Sequence, residues 1–314
     1  MSQGLLCSRD GERAMTRPEA NPQTETPSKT KAAPRVLREF FRSPGAIAGA
    51  LFVLLTLFAA VFGPYLAPHV ATSIDFAHTF TPPFFLRGGM LSHPLGTDYL
   101  GRDVLGMILA GARVSVDIAL LAVISSAVIG TLIGLYSGYF GGRIGELLMR
   151  LTDLQMAFPF ILMALTLMAI SGPGLWKVVA VLALSGWTDY ARIVRSQALQ
   201  HREMLYVTAA KATGGSDARI LFRHVLPNIS ASIIVIATMN IAVNILLEAG
   251  LSFLGLGISP STPSWGAMVA DGRNYVQTAW WLTVFPGLAI FVSVLGLNLL
   301  GDWLRDVMDP SHRH

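Results

Sequence analysis

Three aspartates, Asp117, Asp153 and Asp189, lie at or near the ends of long apolar segments, where paired carboxylates can support acid–base catalysis inside a membrane. Each lies close in sequence to an arginine, and this arrangement favours structural ion pairs over catalysis. Other catalytic signatures are missing from the sequence. No glycine is followed by lysine, as a nucleotide-binding P-loop requires, and neither HExxH nor GxSxG occurs. We therefore assign no catalytic residue.

Metal chemistry is not indicated either. The single cysteine, Cys7, lies in a polar tail, so neither a disulfide framework nor a cysteine-based metal site is expected. The apolar segments carry no cluster of His, Cys or carboxylates that would hold a metal ion. The sequence thus predicts a chain that binds no metal and no cofactor of its own.

A polar segment between two apolar blocks, residues 203–227, predicts a helix, a turn and a second helix. The stretch MLYVTAAKAT favours a helix, and Gly214 with Gly215 supplies a left-handed break. Ser216 is a candidate N-cap, and Asp217 suits the first turn of the next helix. This second helix is expected to end at Val225.

The end of that second helix has its own signals. Arg223 and His224 lie where positive charge complements the helix dipole, and Ile220 is an apolar residue on the same helix. Pro227 is expected to restart the chain as the next apolar helix, where its missing N–H costs little. A compact helical hairpin at a membrane surface is suited to receiving a mechanical push from a partner.

Polar residues inside the following apolar helix define a second candidate site. Asn240, Asn244 and Glu248 are spaced four apart, so they share one helix face. Polar groups in a membrane helix face the protein interior or a wet cavity, so Asn240 and Asn244 either line a transport pathway or bond neighbouring helices. Glu248, near the outer end, is interpreted as a structural anchor.

A compact charged turn precedes the second apolar block and contains Asp98, Arg102 and Asp103. Local pairing of an aspartate with Arg102 is the favoured interpretation. Docking of an external protein on this turn is the alternative.

The elements that must position these residues are membrane helices. Of the 314 residues, 53% are apolar and only 13% are charged, which excludes an ordinary soluble enzyme. A membrane helix needs about 20 apolar residues. Five windows without Asp, Glu, Lys or Arg meet this requirement: Gly45–Gly63, Ile118–Gly142, Leu154–Trp176, Val225–Leu247 and Asn274–Gly301. A sixth span is predicted from Val178 to about Arg195, although it contains Asp189 and Arg192.

The distribution of basic residues predicts the orientation of these six spans. With the N-terminus inside, fifteen of the Lys and Arg residues from Lys29 onward fall in cytoplasmic segments, and only five fall in outer segments: Arg87, Arg102, Arg113, Lys177 and Arg273. Basic residues concentrate on the cytoplasmic side of membrane proteins, so both termini are expected to be cytoplasmic. The charge balance implies no nucleic-acid partner.

The predicted organisation has five parts. Residues 1–34 are too polar to fold and form a disordered cytoplasmic tail. Residues 35–44 form an interfacial amphipathic segment, with a plain basic flank to the first span as the alternative. Residues 45–66 are the first membrane helix, residues 67–112 an external segment, and residues 113–310 a five-helix core with the loop at 203–227.

The second span carries a stripe of small residues with a spacing of four. Its members are Ala122, Ser126, Gly130, Gly134 and Gly138. Such a stripe allows a second helix to approach closely, so it predicts helix packing and not a solute pathway.

Several longer motifs resemble one transporter family. Ala209-Ala210, Gly214, Ile220 and Leu226-Pro227 resemble the cytoplasmic EAA loop of permease subunits of ATP-binding cassette importers. The surrounding motifs are HPLGTDYLGRDVLGMILAGARVS, RHVLPN, EAGLSFLGLG, PSWG and FPGLAIFVSVLGLNLLGDWLRDVMDP. Together they look like the C-type permease of dipeptide, oligopeptide and nickel importers. Thr208 departs from the pattern, because the family has a glutamate there.

The resemblance implies an all-α membrane protein with six transmembrane helices and the type I importer permease fold. It implies a heterodimeric pore with a B-type permease, two cytoplasmic ATPase subunits that use ATP and Mg, and an external solute-binding protein. It also implies that Thr208, Ala209, Ala210, Gly214, Ser216, Asp217, Ile220, His224 and Pro227 couple this chain to the ATPases.

The implied location is the bacterial inner membrane, and the implied solutes are peptides, with nickel or another small solute as the alternative. A secondary transporter acting alone is disfavoured, because no inverted repeat is obvious and midspan carboxylates are few.

Overall fold

The computed structural model describes residues 39–67, 73–258 and 262–308, and these residues are helical apart from turns, loops and one isolated backbone bridge. The predicted all-α architecture is confirmed. The helices are α1 (Pro44–Leu66), α2 (Val104–Tyr139), α3 (Gly142–Met156), α4 (Phe160–Ser171), α5 (Leu175–Arg202), α6 (Leu205–Ala212), α7 (Asp217–Ile220), α8 (Leu226–Phe253), α9 (Trp265–Gly272) and α10 (Trp281–Met308). The predicted disordered tail, residues 1–34, lies outside the described residues.

Only part of the predicted interfacial segment is described. Residues 39–42 are helical, and the Phe40 ring meets the edge of the Trp303 ring at a centroid distance of 5.1 Å. This contact fastens the start of α1 to the last turns of α10. Ser43 ends the segment and caps α1 by accepting a hydrogen bond from the Ala46 N–H.

The first helix has small residues on its protein-facing side and large ones outside. Its buried residues are Ala46, Gly49, Thr56, Ala60 and Gly63, whereas its leucines and phenylalanines are mostly exposed. A soluble helix has the reverse pattern, and this one is suited to lipid. The Thr56 hydroxyl lies 2.9 Å from the Ser293 hydroxyl and links α1 to α10.

The predicted stripe of small residues packs α2 against α5. A Cβ atom added at Gly130 would lie 2.2 Å from the Trp187 carbonyl oxygen, and one at Gly134 would lie 2.7 Å from the Ala191 oxygen. The Ser126 hydroxyl donates to the Ala183 carbonyl across the same seam. The prediction of close helix packing is confirmed.

Length and composition identify four helices that can each cross a membrane: α1, α2, α10 and the continuous helix Asp217–Phe253. The pair α3 and α4 meets the same criteria together and is bent by 88°, which makes up to five. A bend therefore interrupts the span predicted at Leu154–Trp176, and its crossing of the membrane stays a prediction. Pro159 lies at the bend, and proline cannot continue the helical hydrogen-bond ladder.

The predicted sixth span corresponds to α5, which does not meet these criteria because of its polar residues. It is nevertheless 28 residues long, which at 1.5 Å per residue is about 42 Å and exceeds a hydrocarbon core of roughly 30 Å. Many of its side chains are buried against α2, among them Leu182, Tyr190, Ala191 and Ala198. Its crossing of the membrane remains a prediction.

The boundary of the external segment differs from the prediction. The helix α2 begins at Val104, so the last residues of the predicted 67–112 segment are helical. The cause is Asp103, whose carboxylate accepts a hydrogen bond from the Gly106 N–H and caps α2 at that point.

Candidate functional site

The predicted helical hairpin stands on a buried base. Val207 of α6 and Ile220 of α7 are almost fully buried and pack with Leu135, Val194 and Ile229. These three belong to α2, α5 and α8, so the buried base packs the hairpin directly against three long helices.

Polar contacts reinforce the same connection. The Tyr139 hydroxyl, at the end of α2, donates to Asp217 Oδ1 at 2.7 Å, and the Lys211 ammonium lies 4.7 Å from the Tyr139 ring centroid. The Tyr206 hydroxyl lies 2.8 Å from His201 Nδ1 at the end of α5. Burial raises the pKa of Tyr206. Tyr139 was not predicted, because nothing in its local sequence marks it as a partner of Asp217.

The opposite side of α6 forms an open surface. Leu205 is 88% exposed and Met204 is 47% exposed, and Thr208 and Ala209 are exposed beside them. The Thr208 hydroxyl faces back to the Met204 carbonyl at 3.4 Å. We call this set, Met204, Leu205, Thr208 and Ala209, the coupling face. Ala210 differs from Ala209, since it packs against the buried base.

The turn between α6 and α7 follows part of the prediction. Gly214 adopts a φ of +80°, the left-handed conformation that favours glycine, whereas Gly215 does not have positive φ. Ser216 occupies the N-cap position of α7, but its side chain makes no capping hydrogen bond. The expected Ser216 cap bond is therefore wrong. The Ser216 carbonyl still accepts from the Ile220 N–H.

The second helix of the hairpin does not end at Val225. Residues Leu221–Val225 form a π turn that continues into α8, so Asp217–Phe253 is one unbroken helix. Pro227 has no N–H to donate to the Arg223 carbonyl, and the wider π turn accommodates this gap. Consequently Arg223 and His224 do not lie at a helix end, and their predicted dipole role is wrong.

Glu248 is the predicted anchor in α8. Its carboxylate is 1% exposed and accepts hydrogen bonds from the Ser252 hydroxyl at 2.8 Å and the Ser264 hydroxyl at 3.0 Å. The Ser115 hydroxyl lies at 3.5 Å and also accepts from the Trp265 N–H. Glu248 thus links α8 to α2 and α9. From the PSWG motif, Ser264 donates to Glu248 and the Trp265 N–H donates to Ser115.

Asn240 and Asn244 line a cavity of about 80 Å³ between α2, α5 and α8. Asn244 is 6% exposed, and Asn240 is half-buried. Polar residues of the neighbouring helices share this cavity: Ser126, Ser185, Asp189 and Tyr190. The sequence placed Asn240 and Asn244 on one face but gave no sign that α5 supplies the rest.

A wider groove lies on the hairpin side of this cavity and is lined by α5, α8 and α10. Its volume is about 480 Å³, and Ile193, Gln197, Ser232, Met239 and Arg305 contribute to its wall. Gln197 and Ser232 are hydrogen-bonded at 2.6 Å. Asp189, Ile193 and Gln197 are spaced four apart on α5, so cavity and groove share one face of that helix. We call this face the transport face.

The charged turn before α2 forms its hydrogen bonds and ion pairs within itself. Asp98 accepts from Arg102 Nε at 2.7 Å and from two backbone N–H groups, and its side chain is 3% exposed. Asp103 caps α2 and lies 3.2 Å from His93 Nδ1. Arg102 thus pairs with Asp98. Both aspartates are buried, which leaves little of either for contact with another protein.

A nearby acid was not predicted. Asp271 of α9 lines a small pocket with Tyr99 and Arg102. Burial raises the pKa of the Asp271 carboxyl, and the positive charge of Arg102 partly opposes this. Asp271 lies far from Arg102 in sequence, and only the packing of α9 beside the turn brings the two together.

The sequence matches two family models. Residues 130–314 match the binding-protein-dependent transport system inner membrane component, and residues 34–83 match the N-terminal TM domain of oligopeptide transport permease C. The first match covers more than half of the chain. This chain belongs to the family of binding-protein-dependent permeases. It is a membrane permease of the ATP-binding cassette importer class.

Individual relatives agree with the family assignment. The permease is 43% identical over 282 residues to a di/tripeptide transport system permease protein of Pseudomonas aeruginosa, with 88% of this chain and 93% of the relative covered. It is 41% identical over 274 residues to a glutathione transport system permease protein of Pectobacterium atrosepticum, with 87% and 89% covered.

A solved structure supports the fold. Inward-facing forms of the MetNI methionine ABC transporter match with a TM-score of 0.51 at 18% identity, covering 64% of this chain and 96% of theirs. The fold expected from the sequence, that of an importer permease, is confirmed.

Proposed function

We propose that this permease forms one half of the transmembrane pore of an ATP-driven importer of di- and oligopeptides. The observation that carries the proposal is the 43% identity, over nearly the whole chain, to a permease named for di/tripeptide transport. The pore is completed by a B-type permease. Two cytoplasmic ATPases bind and hydrolyse ATP with Mg, and an external solute-binding protein delivers the peptide.

The coupling face is the docking surface for one ATPase. Its exposed Leu205 and Met204 present apolar area to a groove, and Ala209 keeps the approach close. The buried base beneath it moves with α2, α5 and α8. For ATP binding to shift the permease between inward- and outward-facing states, the ATPase must bind the coupling face more tightly in one state.

In this arrangement the coupling face is cytoplasmic, and so are both termini, in the bacterial inner membrane. The distribution of Lys and Arg supports this orientation. The outer turn and α9 then face the solute-binding protein.

The test is reconstitution of this permease with its B-type partner, the ATPases and the binding protein in proteoliposomes. We expect uptake of labelled dialanine that requires ATP, Mg and every subunit. A matched complex with a hydrolysis-deficient ATPase is the control. Uptake by this chain alone without ATP would instead identify a secondary transporter, and selective uptake of a nickel chelate would replace peptide as the solute.

A further inference from the structure

Asp189 forms no salt bridge within the part of the chain that the structure describes, although the positive charge of Arg192 acts on it from one turn away. The residue is exposed on α5, beside the cavity that Asn240 lines. The other two aspartates near membrane-helix ends are paired as predicted, Asp153 with Arg192 at 2.8 Å and Asp117 with Arg113 at 3.7 Å. The expected ion pair of Asp189 is wrong, because Arg192 lies one turn away and faces Asp153. An unpaired carboxylate in a membrane helix is costly and indicates a function.

The position of Asp189 is close to the middle of the helix bundle. It lies about 21 Å along α5 from Leu175 and about 20 Å from Arg202, at 1.5 Å per residue. Asn240 lies equally close to the middle of α8, between Leu226 and Phe253. The two side chains line the same cavity. The carboxylate is therefore far from either end of the pore.

The cavity around Asp189 is rich in hydrogen-bond acceptors. Its polar lining consists of the Asp189 carboxylate, the Asn240 and Asn244 amides, and the hydroxyls of Ser126, Ser185 and Tyr190. Tyr190 is completely buried, and its hydroxyl lies beside the Asn240 side chain. The described lining contains no Lys, Arg or His.

The size and chemistry of the cavity fit an ammonium group. A primary ammonium carries three N–H donors and one positive charge, which match an unpaired carboxylate surrounded by amide and hydroxyl oxygens. One water needs roughly 10–15 Å³ of accessible cavity volume, so a cavity of about 80 Å³ has room for an ammonium group together with water. The groove next to it leads along the transport face to the inner end.

We propose that Asp189, with Asn240 and Asn244, binds the N-terminal ammonium group of a peptide at the middle of the pore. The site holds only the N-terminal end of the peptide, and the side chains of the peptide lie in the wider groove. Binding at the site is therefore transient. This assignment rests on the proposed function and names the chemical group that the pore recognises. It adds a residue of α5 to a pathway that the sequence placed on α8 alone.

The first test measures the charge of the cavity in the assembled importer. Ser185 lies one turn from Asp189, so Ser185→Cys in a Cys7→Ser background places a thiol in the cavity. We expect a cationic methanethiosulfonate to react at least tenfold faster than an anionic one, relative to a free model thiol. Adding Asp189→Asn should abolish the preference, and adding the matched Asp117→Asn should preserve it.

The second test measures uptake of dialanine delivered by saturating binding protein. Asp189→Asn should lower the maximal rate about tenfold with ATPase stimulation retained, whereas Asp189→Glu should keep at least half of it and Asp117→Asn should be normal. The proposal is overturned if the Asp189→Asn importer takes up dialanine at the wild-type rate. It is also overturned if the thiol at position 185 reacts equally fast with the cationic and the anionic reagent.

Two further outcomes can be distinguished from failure of the ammonium site itself. Loss of the partner permease from Asp189→Asn complexes would identify Asp189 as a subunit-interface residue and also overturn the proposal. If the wild-type importer takes up no peptide, the proposed function fails, and the thiol reaction still shows whether the cavity attracts cations.

Discussion

At the scale of single residues, Glu248 shows how a buried acidic side chain is made structural. Its carboxylate accepts from serines on its own helix and at the start of α9, and it lies beside Ser115 of α2. This satisfied environment explains why the acid serves as an anchor, in contrast to Asp189. Hydrogen bonds to charged groups each contribute about 1.5–3 kcal/mol, and removing the acceptor leaves buried hydroxyls unpaired.

We therefore expect Glu248→Ala to lower the stability of the permease by about 2–3 kcal/mol. The measurement is thermal unfolding of the purified complex in detergent, followed by loss of monodisperse protein. The matched control is Glu146→Ala, because Glu146 is exposed on α3. Equal thermal shifts for the two variants would contradict the anchor role.

The two adjacent alanines of α6 have different surroundings and should respond differently to the same change. Ala209 is exposed on the coupling face, so Ala209→Glu should reduce ATPase copurification or coupled uptake at least tenfold without a thermal shift. Ala210 packs against the buried base, so Ala210→Glu should lower thermal stability. Copurification and unfolding of both variants test this, and identical behaviour would refute the assigned coupling face.

At the scale of elements, the α2–α5 seam depends on glycine. A Cβ at Gly130 would overlap the Trp187 carbonyl at 2.2 Å, and the helices would have to separate. We expect Gly130→Ala to cost about 1–3 kcal/mol, the usual range for overpacking. Gly250→Ala is the control, because nothing lies within 4 Å of its added Cβ. Thermal unfolding of both variants is the measurement, and a normal Gly130→Ala permease would refute this packing.

The continuous helix from Asp217 to Phe253 is the element that differs most from the sequence prediction. A π turn accommodates the hydrogen bond that is missing at Pro227, so the second helix of the hairpin continues into α8 without a break. In the proposed function, α8 would transmit movement of the coupling face to Asn240 and Asn244. Local sequence signals favoured a break, and the packing of Val225 and Ile229 in the buried base kept the helix intact.

At the scale of the whole molecule, cysteine labelling can determine the orientation of the spans and whether α5 crosses the membrane. Cys7 is the single cysteine, so a membrane-impermeant maleimide should label it only after spheroplasts are permeabilised. In a Cys7→Ser background, Lys177→Cys should be labelled in intact spheroplasts, and Leu205→Cys only after permeabilisation. Labelling of positions 177 and 205 from the same side would show that α5 does not cross the membrane.

The sequence by itself determined the fold class, the family, the first span, the small-residue stripe, the Gly214 turn and the anchor Glu248. These features depend on local composition and spacing, such as apolar length, a spacing of four along a helix, or a glycine where φ is positive. Long motifs also identified the family, because many residues together are specific.

Only the tertiary structure decided which residues from different helices meet. It separated Ala209 from Ala210, paired Tyr139 with Asp217, and placed Asp189 beside Asn240 in a cavity whose described lining contains no cation. Sequence proximity favoured Arg192 as the partner of Asp189, but helix geometry turned Arg192 toward Asp153 on α3. The physical reason is that side-chain direction and helix packing are properties of the assembled bundle, and a single segment does not contain them.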